Sequence, residues 1–360
     1  MNRRVLVIGP LDSGALALSY ARAFERLGMD VVPFDSERAL HAASRFTGIR
    51  VLRRAMRRRL WNAVNREAVK IAQETRPALT FAVKCSFFDP QTVRDIRRIT
   101  GAPFVNHYPD NPYIGITWDP REASALRRDL VEVFRQYNMV FMWERTLLER
   151  LQRDGVEARY LTFAVDPELF QPQAVGESLH CERCQTTHDV AFVATYSRSR
   201  CDEVAAIRRQ PIAIWGHNWP REWRGLTGQH RAHPPVWGSA VSCIYARAPV
   251  SINVLNKENL GGPNMRTFEI PGSGGCMLAR WSPAQNDTFP EGEAAAYYRS
   301  PTQIDDKLDE LLRDRDLRAR LRRNAARIAA GETYDVRAET VLRECGLPVP
   351  NPVAQRSVTR

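Results

Sequence analysis

The sequence predicts an α/β protein made of two doubly wound domains that follow one another along the chain. The first observation is an opening strand, Val5–Ile8, which a glycine-containing turn and an amphipathic helix separate from a second strand, Val31–Asp35. This succession forms a Rossmann-like βαβ unit. The second observation is that the alternation of strands and helices stops at the proline-bounded stretch Phe163–Pro172 and then starts again. Two Rossmann-like sheets facing across a cleft are therefore expected.

Short apolar segments of strand length predict the remaining strands. In the first half they are Ala78–Val83, Pro103–Asn106 and Met139–Met142. In the second half they are Val190–Ala194, Ile212–Trp215, Val250–Val254, Cys276–Ala279 and Ala294–Tyr298. A helix is expected after Ser300, because Ser300, Pro301 and Gln303 form the pattern of a capping box with proline at the first helical position.

At 360 residues the chain has the length of two ordinary domains. The patterns divide it into five parts: an N-terminal domain at 1–165, a linker or insertion at 166–189, a second domain at 190–332, a helix at 333–345 that packs back toward the first domain, and a flexible tail at 346–360. The first turn lacks the complete G-x-G-x-x-G spacing, so a dinucleotide cofactor is not expected.

The composition indicates a basic protein of the cytoplasm. No apolar run approaches the roughly 20 residues of a spanning helix, and no signal-peptide pattern precedes the first strand. The 7 cysteines are an odd number, as is typical of reduced thiols. Cys181 and Cys184 resemble half of a zinc site, which leaves zinc open there. The net charge of +11 favours an anionic partner.

Much of this charge lies between Arg38 and Arg66, where nine arginines occur without an acidic residue. Leucine, methionine and valine recur there every fourth residue, so the segment predicts a helix with arginines beside an apolar stripe. Such a helix suits an anionic membrane surface, at the inner face of the membrane, or packing on the domain. Nucleic acid is less expected, because Phe46 and Trp61 are the segment's only aromatic residues.

The most informative segment begins with Gly261-Gly262-Pro263 and continues into a short predicted helix that carries Arg266 and Glu269. Residues three apart share one face of a helix. Arg266 is placed to pair with phosphate oxygens, and Glu269 to accept hydrogen bonds from ribose hydroxyls. The alternative is an exposed ion pair of small energetic value.

This segment resembles the C-terminal domain of the CgeB-like glycosyltransferases, which are also described as the spore-maturation type. The resemblance extends roughly from Arg4 to Leu342 and is carried by Asn264, Arg266–Pro271, Gly274–Gly275, Tyr298–Pro301, Phe87–Pro90, Tyr108–Pro112 and Phe163–Phe170. It implies the GT-B fold, a nucleotide-sugar donor held mainly by the C-terminal domain, a hexosyltransferase-type activity without a required metal, and a ribose contact for Glu269. Many retaining GT-B enzymes have a second glutamate eight positions upstream, where this chain has Gly261, so the stereochemical outcome stays open.

Polar residues after other strands complete the predicted donor site. They are Asn264 and Thr267 in the segment just described, Thr195, Tyr196 and Arg200 after one strand, Trp215 and Gly216 after the next, and Lys257. In the N-terminal domain, His107 and Asp110 follow a strand and are candidates for the base that takes the acceptor proton. Asp12 and Ser13 are candidates on the acceptor side. The alternatives are that Asp110 caps a turn and that Asp12 or Ser13 caps the first helix.

The sequence therefore predicts a glycosyltransferase that moves a sugar from a nucleotide diphosphate sugar to an unidentified acceptor, with a lipid-linked or phosphorylated glycan as one option and with no cofactor. Two alternatives on the same fold are a nucleic-acid-binding or DNA-modifying protein and an assembly protein without catalysis.

Overall fold

The computed structural model describes residues 2–43, 50–113, 129–173, 179–181, 186–219, 230–255 and 261–353. The chain divides into two compact units. Unit 1 comprises Met1–Thr162 and Tyr334–Arg360, and unit 2 comprises Phe163–Thr333. Among the residues described, no helix combines the length and the apolar character that crossing a bilayer requires.

Unit 1 is built on a sheet of six parallel strands in the order β2-β1-β3-β4-β5-β6. The strands are β1 (Arg4–Gly9), β2 (Asp30–Asp35), β3 (Leu79–Val83), β4 (Phe104–Tyr108), β5 (Met139–Met142) and β6 (Ala158–Tyr160). The helices between them are α1 (Leu16–Arg26), α2 (Ser36–Ala43), α3 (Arg50–Thr75), α4 (Pro90–Thr100), a helix of which residues 129–134 are described, and α5 (Arg145–Arg153). Buried parallel strands read as continuous apolar runs, and Val5–Ile8 is one.

A helix from the end of the chain completes unit 1. The Asp335 carboxylate in this helix accepts a hydrogen bond of 2.9 Å from Arg26 Nε of α1. Tyr334 packs edge-on against Tyr20 of α1, with ring centroids 5.1 Å apart. The C-terminal helix therefore belongs to the same compact unit as the first βαβ motif.

Unit 2 is built on a second sheet of six parallel strands, in the order β11-β10-β9-β12-β13-β14. The strands are β9 (Val190–Val193), β10 (Ile212–Trp215), β11 (Arg231–His233), β12 (Val250–Asn253), β13 (Met277–Arg280) and β14 (Ala296–Tyr298); β7 (Leu179–Cys181) and β8 (Thr186–His188) form a separate antiparallel hairpin. The helices of unit 2 are α6 (Arg198–Val204), α7 (Ser239–Arg247), α8 (Arg266–Gly272), α9 (Pro283–Thr288), α10 (Ile304–Arg313) and α11 (Arg315–Ala329). The C-terminal helix of unit 1, described above, is α12 (Tyr334–Glu344).

The predicted fold class is confirmed, because both halves form doubly wound parallel sheets. The strands β6, β11, β7 and β8 were not predicted, because each has only three residues and includes polar or charged ones. The capping box at Ser300 is present, although the first turn, Pro301–Gln303, is a 3₁₀ turn and the α-helix begins at Ile304.

Each sheet has one point at which the chain changes its direction of growth, and ligands of doubly wound proteins bind at the carboxyl ends of the strands there. In unit 1 this point lies between β1 and β3. In unit 2 it lies between β9 and β12. The loops that follow these four strands are therefore the places to look for a functional site.

Candidate functional site

Arg266 begins α8, the short helix that follows the loop after β12. Its side chain is partly buried, and Arg266 Nε donates a hydrogen bond to the carbonyl oxygen of Val193, the last residue of β9. This contact places a guanidinium group at the carboxyl end of β9, beside the change of direction in the sheet.

Glu269 lies one turn further along α8 and is also partly buried. Burial raises the pKa of the Glu269 carboxyl to about 7, and the positive charge of Arg266 acts in the opposite direction. Tyr245 of α7 is fully buried beside them. Burial raises the pKa of Tyr245, Glu269 adds to this effect, and Arg266 and Arg200 oppose it. Four side chains from three helices thus share one electrostatic environment.

A buried hydrogen-bond network of side-chain amides and one hydroxyl group connects α8 to β12 and α9. Asn253, the last residue of β12, donates from Nδ2 to Asn264 Oδ1 at 3.1 Å and to Gln285 Oε1 at 3.2 Å, and it accepts from Asn264 Nδ2 at 2.8 Å. Thr267 Oγ1 donates to Gln285 Oε1 at 2.8 Å, and the Thr267 amide donates to Asn264 Oδ1 at 3.0 Å. Fully bonded buried networks hold their elements rigidly.

This network changes the role of two predicted donor contacts. Asn264 and Thr267 are 7% and 0% exposed, and their polar atoms bond to the network and to the first turn of α8. We therefore assign them the positioning of α8 rather than contact with a ligand.

The loop after β9 supplies a second cation to the same area. Ser197 caps α6 by accepting a hydrogen bond from the backbone amide of Arg200. Arg200 Nη1 donates to the carbonyl oxygen of Thr195 at 2.9 Å, which directs this side chain back toward the end of β9. Thr195 is exposed and Tyr196 is partly buried. The hydroxyl groups and the guanidinium predicted here as donor contacts are thus at the end of a strand.

Trp215 and Gly216 both contribute to packing, and their donor contacts stay a prediction. Trp215 is 8% exposed, and its ring stacks on that of His233 at 4.6 Å, so it packs inside unit 2. Gly216 is required for packing, because a Cβ atom there would lie 1.8 Å from the carbonyl oxygen of Ala194. The structure thus gives both residues a structural role. Lys257 lies outside the described residues.

Trp237 and Tyr245 lie in unit 2 and were not predicted as site residues. Trp237 follows β11 and is 58% exposed, with its ring 5.4 Å from that of His217 in the loop after β10. An exposed tryptophan beside strand ends offers a stacking surface for a flat ring. Its position two residues after Pro234-Pro235 was an available signal. Tyr245 carried no such signal, because it reads as a core residue of an apolar helix.

In unit 1 the loops after β3 and β4 bring Lys84 and Asp110 together. Lys84 Nζ lies 2.7 Å from Asp110 Oδ2, and both side chains are about half exposed. Lys84 and Cys85 have positive φ angles of 65° and 47°. Such angles are strained for residues other than glycine, and they occur often at functional sites. Asp110 therefore forms an accessible ion pair at this end of the sheet.

Of the other candidates in unit 1, His107 is buried, whereas Asp12 and Ser13 are exposed. His107 is 0% exposed inside β4, and its ring packs edge-on against Tyr20 at 5.5 Å. Burial, and after it the charge of Arg337, lowers the pKa of His107 to about 3. A neutral histidine in the core cannot reach an acceptor hydroxyl, so His107 is withdrawn as the base. Asp12 and Ser13 are exposed after β1 and do not cap α1, whose N-cap residue is Ala15 without a side-chain bond.

The remaining sequence predictions concern metal and charge. Within the described ranges, no group of three or more His, Cys, Asp or Glu side chains is arranged to hold a metal ion. The side chains of Cys181 and Cys184 are not among those that the structure describes, and neither are the side chains of residues 43–57. Of the predicted basic helix, Arg58, Arg59 and Arg66 are described and exposed on α3.

Comparison with solved structures identifies the fold as that of the GT-B glycosyltransferases. Sucrose-phosphate synthase from Thermosynechococcus elongatus has a TM-score of 0.72 at 12% identity, covering 95% of this chain and 98% of that chain. HepE from Anabaena, in complex with UDP and glucose, has a TM-score of 0.62 at 12% identity, with the same coverage. A glycosyltransferase from Rickettsia africae has a TM-score of 0.63 at 9% identity, covering 96% and 98%.

Residues 198–343 match the family described as glycosyl transferase-like. This match includes Arg200, Tyr245, Arg266 and Glu269. No curated protein matches the sequence.

Proposed function

We propose that this protein is a glycosyltransferase that takes a sugar from a nucleotide diphosphate donor bound in unit 2. The observation that carries the proposal is the pairing of Arg266 and Glu269 at the carboxyl end of β9, where Arg266 bonds to Val193 and a buried amide network supports the helix. The GT-B fold and the family match over 198–343 support it.

Each of these side chains has a role that its chemistry fits. The Glu269 carboxylate accepts hydrogen bonds from the ribose hydroxyl groups. Arg266 and Arg200 bind the diphosphate, on which negative charge develops as its bond to the sugar breaks. Trp237 stacks on the nucleobase. Uridine is the first base to test, because HepE from Anabaena binds UDP and glucose.

Asp110 is the proposed base in unit 1. The bond from the sugar C1 atom to the diphosphate oxygen breaks, and the diphosphate leaves with the electron pair. A bond from C1 to the acceptor oxygen forms, and the acceptor proton passes to the Asp110 carboxylate. Lys84, 2.7 Å away, orients that carboxylate.

Three finer assignments complete the proposal. The chain falls in the CgeB-like group, transfers a hexose and needs no metal, because Arg266 and Arg200 supply positive charge near the end of β9. Its exposed arginines on α3 contact an anionic membrane surface at the cytoplasmic side. The nucleic-acid alternative is not favoured, because the family match and the similar solved structures are those of glycosyltransferases.

Thermal unfolding with a panel of UDP-, GDP-, dTDP- and ADP-linked sugars tests the donor site. A ligand that binds only the folded state raises the melting temperature. We expect one nucleotide class to raise that of the wild type and to have no effect on Glu269→Ala. Glu310→Ala, which removes an exposed carboxylate of α10, is the matched control and should respond like the wild type.

A shift that survives in Glu269→Ala would contradict the proposed role of this residue. No shift with any nucleotide sugar, together with a clear shift with short DNA, would overturn the proposed function in favour of nucleic-acid binding.

A further inference from the structure

Unit 1 contains a cavity apart from the ion pair of Lys84 and Asp110. It lies among α3, the start of α4 and the helical residues 129–134, and its volume is about 760 Å³. Small-molecule sites in proteins measure about 300–1,000 Å³. The cavity therefore has room for a short oligosaccharide.

One part of the lining is apolar and aromatic. Trp61 of α3 is partly buried, and Phe87 and Phe88 pack edge-to-face with ring centroids 4.9 Å apart. Leu130 and Val133 complete this surface. The C–H face of a sugar ring packs well on such rings, because their faces carry partial negative charge.

The other part of the lining is polar and includes the planar side chains of Asn62, Asn65, Asp89, Gln91 and Arg94. Arg94 Nη1 donates to Gln136 Oε1 at 3.2 Å, and Arg94 Nη2 donates to Gln91 Oε1 at 2.9 Å. These two bonds fix the guanidinium group, and its other N–H groups are available to a ligand. Asn65 is 4% exposed, and its Nδ2 donates to the carbonyl oxygens of Trp61 and Phe87. Its Oδ1 accepts no hydrogen bond from any residue that the structure describes.

The charge of this lining decides between two kinds of ligand. Among the lining residues that the structure describes, there are two guanidinium groups, Arg58 and Arg94, and three carboxylates, Asp89, Asp129 and Glu132. This described part of the lining is therefore close to neutral, although the chain as a whole carries +11. A phosphate or a nucleic acid needs a clear excess of positive charge. Hydroxyl groups both donate and accept, so they suit mixed amides, carboxylates and guanidinium groups.

We propose that this cavity binds a neutral saccharide and that the acceptor in the reaction is a glycan. The second half of this proposal rests on the proposed function, and the first does not. One hydrogen bond links the lining of the cavity to the strand that precedes the proposed base. Ser86 lines the cavity, and its Oγ atom lies 3.0 Å from the Tyr108 hydroxyl oxygen. Ser86 is two residues after Lys84 in the chain, and Tyr108 is two residues before Asp110.

Saturation-transfer NMR tests the site directly. The probes are the methyl glycosides of glucose, galactose, mannose and N-acetylglucosamine, with their disaccharides, and dodecyl phosphate as the charged comparison. We expect at least one glycoside to bind. Asn62→Trp fills the cavity from an exposed position, and Gln91→Leu removes an amide from the surface, so each should weaken binding about tenfold. Arg98→Gln, on the same helix but outside the lining, should bind like the wild type.

Hydrolysis of the nucleotide sugar, measured on the same samples, separates the two proposals. Saccharide binding without donor hydrolysis or donor binding would support the cavity and remove the proposed function. Donor hydrolysis without binding of any glycoside would overturn the cavity assignment alone. Preferential binding of dodecyl phosphate, or equal losses in Arg98→Gln and the cavity variants, would also overturn it.

Discussion

The two six-stranded sheets differ most in what lies at the ends of their strands. In unit 2, Arg266 and Glu269 are partly buried and stand on a network of amides whose distances are between 2.8 and 3.2 Å. In unit 1, Lys84 and Asp110 form an ion pair about half exposed to solvent, at a turn with two positive φ angles. One sheet end is thus held by buried bonds and the other by an exposed contact.

This difference indicates different tasks for the two ends. Buried polar networks that are fully bonded fix one geometry. Exposed ion pairs contribute about 0–1 kcal/mol and exchange readily with water or ligand. A rigid end suits a ligand with invariant parts, such as a nucleotide diphosphate. An exposed end suits a group that must gain and release a proton in every cycle.

The largest expected effect comes from Asp110→Asn. If Asp110 takes the acceptor proton, its loss should lower turnover about 10²- to 10⁴-fold while nucleotide binding stays unchanged. Steady-state kinetics and donor binding measured together provide the test. Asp30→Asn removes an exposed carboxylate where β2 begins, at the opposite end of the same sheet, and should leave turnover as it is. A loss of donor affinity with unchanged turnover would reverse the tasks assigned to the two ends.

The next effect concerns Glu269 and pH. The pKa of this carboxyl is about 7 in the folded protein, above its ordinary value of 4.5. The stability contributed by the protonated group is therefore complete below pH 4.5 and is lost as the pH rises through 7. Glu269→Gln keeps a neutral side chain, so at pH 8 it should be more stable than the wild type, by up to about 3 kcal/mol. At pH 4.5 the two should be nearly equal.

Urea unfolding at both pH values measures this difference, with Glu310→Gln as the exposed control. With the nucleotide sugar present, the wild type should become more stable than Glu269→Gln, because the charged Glu269 then has ribose hydroxyl groups to bind. Glu269→Gln should lose donor affinity most at pH 8. A stability difference that is the same at both pH values would mean that Glu269 is well solvated, and the contrast between the two strand ends would weaken.

The sequence predicted the central strands well but missed β6 and β11, each of which lies at one edge of a sheet. Val5–Ile8 and Ile212–Trp215 are continuous apolar runs, which buried parallel strands require, and both are strands. Ala158–Tyr160 and Arg231–His233 have three residues each and contain arginine, so their strand character depends on a neighbour that supplies hydrogen bonds. Pairing of that kind is not visible in a local pattern.

The site was predictable where the chemistry is local in sequence. The spacing of Arg266 and Glu269 places them one turn apart, and both lie in one short helix, α8, while their contact with a donor stays a prediction. Tyr245 comes close to them only because α7 and α8 pack together. His107 was misjudged for the opposite reason, because β4 extends to Tyr108 and the histidine falls within the strand rather than after it.

The smallest expected effect is a difference in stability between two variants of Lys84, which distinguishes backbone strain from the loss of the ion pair. Lys84→Met removes the ion pair and keeps the positive φ angle, so it should cost less than about 1 kcal/mol of stability. Lys84→Gly removes the ion pair as well, but glycine adopts φ of 65° without strain. It should therefore be about 1 kcal/mol more stable than Lys84→Met. Chemical denaturation of both variants measures the difference, and both should lower turnover less than Asp110→Asn, because they remove only the group that orients the base. Equal stability of the two variants would show that the turn stores no strain, and the exposed end of unit 1 would then be distinguished by its charge alone.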